Sequence, residues 1–399
     1  MSKILLQNGI LIFADFVLEN GYAYIVDGKL VNVGQGSLEV GPDVTRFDVG
    51  GKYISPGFID MHVHGGGGYD FMDGTVEAFL GVAEVHVRYG TTAMCPTTLT
   101  AEASHIYTVL DAYAAALPQN TKGSAWLGLH LEGPYLSLGQ CGAQDPKYIR
   151  NPDEIEYRDI IAYSPHIVRW SAAPELQGAL DFADYLQSKG IIASLAHTDA
   201  LFEEIVLAYD HGFRLATHFY SAMSGIIRKN AKRYAGVIEA GYYLDGMDVE
   251  IIADGIHVPS SLMKLIYKIK GAEHIALVTD AMRGAAMPEG PSVLGRLNDG
   301  LPVIIEEGVA KLPDRSAFAG SVATANQLIK NYIKAADVPL VAAVRMMTET
   351  PARILGVQDR KGSLEKGKDA DIVIFDAELE VYMTIVEGSI KYERLTENR

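Results

Sequence analysis

The chain has 399 residues, of which 48 % are apolar and 21 % charged, and its formal net charge at pH 7 is −16. This length allows a large domain together with a smaller one, and the composition is that of a soluble globular protein. The negative charge argues against a nucleic-acid partner, because phosphate backbones would be repelled, although a few local basic residues are enough to hold a small anion.

Neither a targeting segment nor a disulfide framework is expected from the sequence. The N-terminal stretch MSKILLQNGILIFADFVLENG is interrupted by Asn8, Gly9 and Asp15, so we do not expect a signal peptide. No apolar run approaches the roughly 20 residues that span a bilayer. The two cysteines, Cys95 and Cys141, are expected to be free thiols in a reducing compartment. We therefore expect a cytoplasmic protein with no membrane partner.

Both ends of the chain have the short apolar runs that are typical of β-strands. Near the N-terminus the runs ILIFADFVL, YAYIV and KLVNVG are separated by turn signals, of which Asp27-Gly28 indicates a hairpin. Near the C-terminus the runs DIVIF, VYMTIV and SIKYE repeat this style. The sequence therefore predicts a small β-sandwich domain that is formed from residues 1–54 and 355–399.

The middle of the chain, residues 55–354, alternates apolar β-branched runs with amphipathic stretches, which is the pattern of parallel βα units. Helices are predicted between the runs at residues 76–89, 179–189, 201–211 and 261–270. The chain has eight strand-like runs: FIDMHVH, TTAMCP, WLGLHLEG, IVRWSAAPE, IIASLAH, RLATH, VEIIADG and IALVTDA. Eight such units predict an α/β fold with a (β/α)8 TIM barrel.

The eight runs tend to end in polar residues, and the active sites of such barrels lie at the C-terminal ends of the strands. These polar residues are His62, His64, Glu132, Glu175, His197, His218, Asp254 and Asp280. A doubly wound open sheet would instead require a glycine-rich turn with dinucleotide-binding spacing, and the run Gly65–Gly68 lacks that spacing. The pattern favours the barrel, with a site at this end of it.

Five of these residues are the candidate metal ligands. His62 and His64 are two apart on a predicted strand, so both side chains project to the same side, and imidazole suits zinc or iron. Glu132, His197 and His218 offer one oxygen and two nitrogens, an open set that leaves room for a catalytic water. Each residue alone has a plainer interpretation as a polar core or turn residue. Their coincidence at separate strand ends predicts a metal centre.

Asp280 ends the eighth run, in LVTDA, and is the candidate catalytic residue. A carboxylate beside a metal site can take a proton from the attacking water and later deliver it to a departing amine. The plainer alternative is a helix N-cap, for which aspartate is common. His130, two residues before Glu132, is expected to support the ligands or to pack in the core rather than to ligate.

The chain resembles the N-acetylglucosamine-6-phosphate deacetylases of the amidohydrolase superfamily, through the motifs PGFIDMHVHGGGG, LHLEGP, AHTDA, THFYSAM, IIADGIHV, LVTDAM, FAGS and GSLEKGKDADIVIFD. The resemblance implies a barrel with a β-sandwich domain, usually in a homodimer, that deacetylates N-acetylglucosamine 6-phosphate. It also implies one divalent metal, zinc or iron, at Glu132, His197 and His218. Asp280 would be the proton shuttle. A second metal is possible at His62 and His64, because members of the family that keep this pair can hold one, whereas members that have lost a histidine use a single metal.

The resemblance also implies a set of substrate contacts: Ala143, Gln144, Ser221, Ala222, Arg233, Asp254, His257, Phe318, Ala319 and Gly320. His257 matches a sugar contact, and Arg233 matches a phosphate-binding arginine, a task for which Arg228 is a rival. Two positions depart from the family pattern. Ser221 replaces the usual asparagine, and Gln144 replaces a histidine. A different substrate, such as N-acetylgalactosamine 6-phosphate, or another amidohydrolase reaction therefore stays open.

Two alternatives agree less well with the residues. Many cyclic-amide hydrolases bridge their metals with a lysine on a barrel strand, and no lysine ends any of the eight runs. A catalytically dead barrel that serves as a binding protein would have lost ligands, whereas every expected ligand and Asp280 are present.

Overall fold

A computed structural model describes residues 2–394, and in it the eight strand-like runs form the parallel strands of a barrel. From the first to the eighth, the barrel strands are Phe58–Val63, Thr91–Thr98, Leu129–Glu132, Ile167–Ala172, Ile192–Leu195, Leu215–Ala216, Asp248–Ile251 and Ile275–Leu277. Each strand is hydrogen-bonded in parallel to the next along the chain. The predicted TIM barrel is confirmed.

The ring closes at a seam between the first and eighth barrel strands. Val63 forms a parallel bridge with Ala281 just beyond the eighth strand. The backbone N–H groups of Asp280 and His64 donate to the carbonyls of His62 and Ala281, each at 2.9 Å. The seam therefore places two predicted metal ligands beside the predicted catalytic aspartate.

A helix follows each barrel strand, and its apolar residues share core clusters with the strands. In chain order the helices are Val76–His86, Ala103–Ala116, Glu154–Tyr163, Ala179–Ser188, Phe202–Asp210, Val237–Tyr243, Ser260–Lys270 and Ala325–Ala336. The shorter helices Leu340–Arg345 and Glu349–Ile354 come next. All four predicted helices are present. The largest difference lies at Val87–Tyr89, where the helix predicted to end at residue 89 tightens into a 3-10 turn.

Strands from both ends of the chain form a second sheet outside the ring. They are Lys3–Ile12, Val17–Val26, Lys29–Gln35, Thr45–Asp48, Tyr53–Pro56, Ile372–Phe375, Val381–Val386 and Ser389–Glu393. The strand Tyr53–Pro56 joins the two ends, because it pairs in parallel with Lys3–Ile12 and antiparallel with Ile372–Phe375. The predicted β domain built from both termini is confirmed.

The two halves of this terminal sheet also meet at their hairpin turns. A Cβ added to Gly388 would lie 2.5 Å from the Cα of Gly28, so the two turns touch and have no room for a side chain. Both glycines have positive φ angles, which other residues rarely adopt. Leu6, Ile25 and Ile385 share one apolar cluster, so residues of both termini form the core of this domain.

Two insertions that the sequence pattern does not predict lie near the C-terminal mouth of the barrel. A four-stranded antiparallel sheet precedes the last barrel helix, with strands Gly290–Leu294, Leu301–Glu306, Val309–Lys311 and Phe318–Ser321. A hairpin follows the sixth barrel strand, with strands Ile227–Lys229 and Lys232–Tyr234. Within residues 2–394, no helix is both long and apolar enough to cross a membrane.

Candidate metal centre and active site

Four imidazoles surround the carboxylate of Glu132 at the mouth of the barrel. Glu132 Oε1 lies 3.0 Å from His218 Nε2, 3.4 Å from His197 Nε2 and 3.6 Å from His62 Nε2. The other oxygen, Oε2, lies 3.4 Å from His64 Nε2. All five side chains are buried. The third barrel strand thus places one carboxylate between two histidines from the first strand and two from the fifth and sixth.

These residues form two overlapping ligand sets. The ligand atoms of His62, His64 and Glu132 lie within 4.8 Å of one another, and so do those of Glu132, His197 and His218. Each set has two nitrogens and one oxygen, which is a donor combination that zinc accepts with one position left open for water. The donor chemistry therefore fits a divalent cation at each set, with Glu132 common to both.

Three of the four imidazoles have an oxygen acceptor within hydrogen-bonding distance of Nδ1. The distances are 3.3 Å from His62 to Glu250 Oε2, 3.2 Å from His64 to the Thr97 carbonyl and 2.8 Å from His197 to the Gln140 carbonyl. An Nδ1–H group donating to these oxygens leaves the lone pair on Nε2, where a metal can use it. Within the described part of the chain, His218 Nδ1 has no hydrogen-bond partner.

Two of the predicted metal ligands and the predicted catalytic aspartate have a left-handed backbone conformation. The φ angles are 46° at His197, 34° at His218 and 46° at Asp280. His197 and His218 lie two positions beyond the ends of their strands and Asp280 lies three beyond, so the chain turns sharply where each side chain enters the mouth. Non-glycine residues in this region cost roughly 1–3 kcal/mol, and such strain is concentrated at functional sites.

Asp280 lies next to the first-strand histidines. Its Oδ1 is 3.1 Å from His64 Nε2 and 3.5 Å from His62 Nε2. Burial by itself would raise the pKa of Asp280, but His62, His64 and His218 outweigh it and hold this pKa below its ordinary value. In the same way burial opposes ionisation of Glu132, whereas the surrounding imidazoles hold its pKa well below the usual range. Both carboxylates are therefore ionised at neutral pH.

A cavity of about 460 Å³ opens above this cluster. Of the five predicted ligands and Asp280, all except His62 line it. The predicted substrate contacts that line it are Ala143, Gln144, Ser221, Ala222, His257, Phe318 and Gly320. His257 packs on Phe318 with 4.7 Å between ring centroids. The structure thus gathers most of the predicted residues around one cavity.

Three predicted substrate contacts do not line this cavity. Asp254 Oδ2 lies 2.6 Å from His257 Nδ1, so Asp254 holds the histidine that does line it. Ala319 is fully buried in the apolar cluster of the four-stranded sheet. Arg233 is exposed on the hairpin, opposite its rival Arg228 in the strand register. Neither arginine reaches the cavity in the single chain.

Gln144 contacts a ligand residue directly. Its Nε2 donates to Glu132 Oε2 at 2.7 Å, and its Oε1 accepts from the backbone N–H of Thr100 at 2.8 Å. The backbone donor fixes which end of the amide points at the carboxylate. Gln144 therefore orients Glu132, in addition to forming part of the cavity wall.

A buried ion pair under the site was not among the predicted functional residues. Arg169 of the fourth barrel strand and Glu250 of the seventh are completely buried, with 3.0 Å between Nη2 and Oε2. The sequence carried a signal for it, because each residue is a charge inside an otherwise apolar run. Two opposite charges in such positions are expected to pair, since an unpaired buried charge is very costly.

The comparisons with known proteins agree with this geometry. A family model described as the amidohydrolase family matches residues 53–391. The chain therefore belongs to the amidohydrolase family. The N-acetylglucosamine-6-phosphate deacetylase of Vibrio furnissii is 34 % identical over 87 % of this chain and 84 % of its own length. The predicted resemblance to these deacetylases is thereby confirmed.

Two further similarities bear on the substrate class. The N-acetylgalactosamine-6-phosphate deacetylase of Escherichia coli O157:H7 is 33 % identical over 85 % of this chain and 88 % of its own length. A mutant N-acetyl-D-glucosamine-6-phosphate deacetylase from Mycobacterium smegmatis has been solved in complex with N-acetyl-D-glucosamine-6-phosphate. It superposes with a TM-score of 0.89 at 29 % identity, over 98 % of this chain and 100 % of that chain.

Proposed function

We propose that the protein is a metal-dependent deacetylase that converts N-acetylglucosamine 6-phosphate to glucosamine 6-phosphate and acetate. The observation that carries this proposal is the position of Asp280, 3.1 Å from His64 beside two overlapping sets of metal-binding donors. An ionised carboxylate in that position is what amide hydrolysis needs, because a proton must leave the attacking water and reach the departing nitrogen. The relatives named as deacetylases support the same reaction.

A divalent cation, zinc or iron, held by Glu132, His197 and His218 would supply Lewis-acid chemistry, which acidifies water and polarises a carbonyl. Asp280 Oδ1 takes a proton from the attacking water. His257, whose Nδ1 lies 2.6 Å from Asp254 Oδ2, is held in place at the cavity wall and contacts the substrate there. Asp280 then delivers its proton to the amine nitrogen as the C–N bond breaks.

The phosphate group is assigned to Arg233, with Arg228 as the rival. A guanidinium binds phosphate through its forked donors, and both arginines stand on an exposed hairpin that also carries Lys229 and Lys232. Because neither arginine lines the cavity, the hairpin must approach it, either by its own motion or from a second copy of the chain. We propose a homodimer, which the molar mass in solution tests.

The second candidate substrate is N-acetylgalactosamine 6-phosphate. Ser221 and Gln144 line the cavity where the family pattern has asparagine and histidine, so the pocket around the sugar is altered while the predicted ligands are kept. The identities to the glucosamine and galactosamine deacetylases, 34 % and 33 %, do not separate the two substrates.

Acetate release decides between these candidates. The purified protein is assayed with both N-acetylhexosamine 6-phosphates and with both unphosphorylated sugars, and its metal content is measured on the same sample. We expect turnover of the phosphorylated sugars, with the glucosamine form preferred. Absence of turnover on all four sugars would overturn the proposed substrate class.

We also propose a cytoplasmic location and small-molecule substrates only. Both cysteines are free thiols, as a reducing compartment requires. The net charge of −16 disfavours nucleic acid.

A further inference from the structure

The buried ion pair of Arg169 and Glu250 lies inside the barrel, under the site. In addition to the 3.0 Å contact, Arg169 Nη1 is in close contact with Glu250 Oε1. The remaining arginine donors bind Ser194 Oγ at 2.9 Å, Thr217 Oγ1 at 2.7 Å and the Met61 carbonyl at 3.2 Å. The guanidinium is thus fully hydrogen-bonded. The glutamate can remain ionised in the interior because its charge is compensated on the spot.

Glu250 also contacts two residues of the predicted metal centre. Its Oε2 lies 3.3 Å from His62 Nδ1 and accepts from the backbone N–H of His218 at 3.3 Å. His218 is one of the residues with left-handed backbone. One buried oxygen therefore touches a member of each ligand set, although Glu250 itself points at neither open position.

His62 differs from the other held imidazoles in what holds it. His64 and His197 have backbone carbonyls behind Nδ1, whereas His62 has a carboxylate. A neutral imidazole carries its single proton on either nitrogen, and the stronger acceptor decides which one. A carboxylate behind Nδ1 also makes Nε2 a better donor to a metal.

We propose that Glu250, with its charge compensated by Arg169, is a positioning residue for His62. It holds the proton of His62 on Nδ1 and the lone pair on Nε2, and thereby makes His62, His64 and Glu132 a working second metal set in this protein. The inference rests on the proposed metal-dependent function and deepens it, because it names a residue outside the sequence motifs that supports the second set.

The same strand provides a matched control. Asp248, two residues before Glu250, lies 2.8 Å from His274 Nδ1 and accepts from Arg353 at 2.7 and 3.1 Å. This triplet of histidine, carboxylate and arginine has the same composition, but it lies at the start of the strand and its histidine belongs to neither ligand set. Its removal tests the general cost of breaking such a triplet.

The test compares two double variants that differ in one acceptor group. Arg169→Met with Glu250→Leu removes the acceptor behind His62, whereas Arg169→Met with Glu250→Gln keeps an amide oxygen there. Replacing the arginine in both avoids an orphaned buried charge. The control is Arg353→Met with Asp248→Leu. Metal-free protein is titrated with zinc by calorimetry against a competing chelator, and bound zinc is counted by mass spectrometry.

We expect two zinc ions per wild-type chain, one of them bound more weakly. The leucine variant should bind the weaker zinc about 10- to 100-fold less tightly, which is the usual loss for a partner behind a ligating histidine. The glutamine variant should recover most of that affinity, and the control should bind both ions like the wild type. Equal zinc affinities in the leucine and glutamine variants would overturn the proposal, as would a wild type that binds a single zinc.

A second measurement needs no substitution of Arg169 or Glu250. It therefore tests the proposal even if the double variants fail to fold. Long-range 1H–15N spectra of the zinc-loaded wild type, with His62 assigned through His62→Gln, report which nitrogen carries the proton. A proton on Nδ1 and a metal-shifted Nε2 support the proposal, and the reverse arrangement overturns it. Failure of the proposed function would give a different result. The protein would still bind two zinc ions but would release acetate from none of the sugars.

Discussion

Two clusters of charged residues in this molecule contain similar carboxylates but different cations, and the lysine or histidines at the centre of each are buried. In the terminal domain, Lys361 Nζ lies 2.7 Å from Asp371, 3.0 Å from Asp369 and 3.2 Å from Glu387. At the barrel mouth, the carboxylates of Glu132 and Asp280 are surrounded by imidazoles. In the part of the chain that the structure describes, no lysine or arginine forms an ion pair with either of them.

The difference distinguishes a cluster that stabilises the fold from a cluster that is suited to binding a metal ion. Burial by itself would lower the pKa of Lys361, but Asp371, Glu387 and Asp369 keep it above the ordinary value, so the cluster carries a permanent cation. At the mouth, the ionisable partners of the two carboxylates among residues 2–394 are histidines, whose charge depends on pH. Burial opposes the charge on His64, yet Asp280 and Glu132 raise its pKa well above the ordinary value. A divalent cation can replace those protons.

The largest effect is expected at Asp280. Asp280→Asn keeps the shape of the side chain but cannot accept a proton, so kcat for acetate release should fall by about 10²- to 10⁴-fold. The bound metal, counted by mass spectrometry, should be unchanged, because Asp280 belongs to neither ligand set. A variant that retains activity within a few-fold of wild type would remove Asp280 from the proton-transfer role.

Loss of the permanent cation should weaken the fold and leave the chemistry alone. Lys361→Met leaves the buried carboxylate of Asp371 without its cation, and breaking a buried pair in this way typically costs about 3–5 kcal/mol of unfolding free energy. Urea unfolding of the metal-free protein measures this, with Lys366→Met, at an exposed lysine nearby, as the control. An equal stability of the two variants would mean that the cluster around Lys361 does not hold the terminal domain together.

Metal should stabilise the barrel in a pH-dependent way. A ligand at 100 times its Kd adds about 2.7 kcal/mol to the unfolding free energy, so chelation should lower Tm. The carboxylates raise the pKa values of His64 and His218 despite burial, and zinc requires both imidazoles unprotonated. Zinc binding should therefore release protons and weaken as the pH falls through those raised pKa values. Calorimetry in buffers of different ionisation enthalpy counts the protons, and none released would contradict this assignment.

The smallest of these effects is expected at Gln144. Gln144→Leu removes the amide that binds Glu132, and a hydrogen bond to a charged group is worth about 1.5–3 kcal/mol, or roughly a 10- to 100-fold loss of kcat/KM. If Gln144 acts through Glu132, kcat and zinc affinity should fall together. If it acts only on the sugar, KM alone should rise. Gln144→Glu, with the same size but a repelling charge, should be worse than the leucine variant.

Much of the site could be read from the sequence because strand ends are easy to recognise. His62, His64, Glu132, His197 and His218 each close an apolar run, and in a parallel barrel the ends of all runs meet at one mouth. Their side chains do come together around one carboxylate. The domain boundaries at residues 54 and 355 stay a prediction.

The remainder depends on contacts that no local pattern encodes. Glu250 lies inside an apolar run, and nothing in VEIIADG says that it supports a histidine from another strand. Gln144 takes its orientation from the backbone of Thr100, which lies in a different loop. Arg228 and Arg233 lie outside the cavity because they belong to an exposed hairpin that the sequence pattern does not predict. These contacts join residues that are distant along the chain, and they form only because the barrel strands close into a ring.

The seam of the ring governs the order in which this centre can be assembled. His62 and Asp280 are neighbours across the seam, yet they come from the first and the last barrel strands. During synthesis on the ribosome, His62 and His64 emerge early. Almost the entire barrel must then be synthesised before Asp280 can come next to them. All members of both ligand sets precede Asp280 along the chain, so the catalytic aspartate is the last residue of the centre to be synthesised, and it joins the others when the final strand docks.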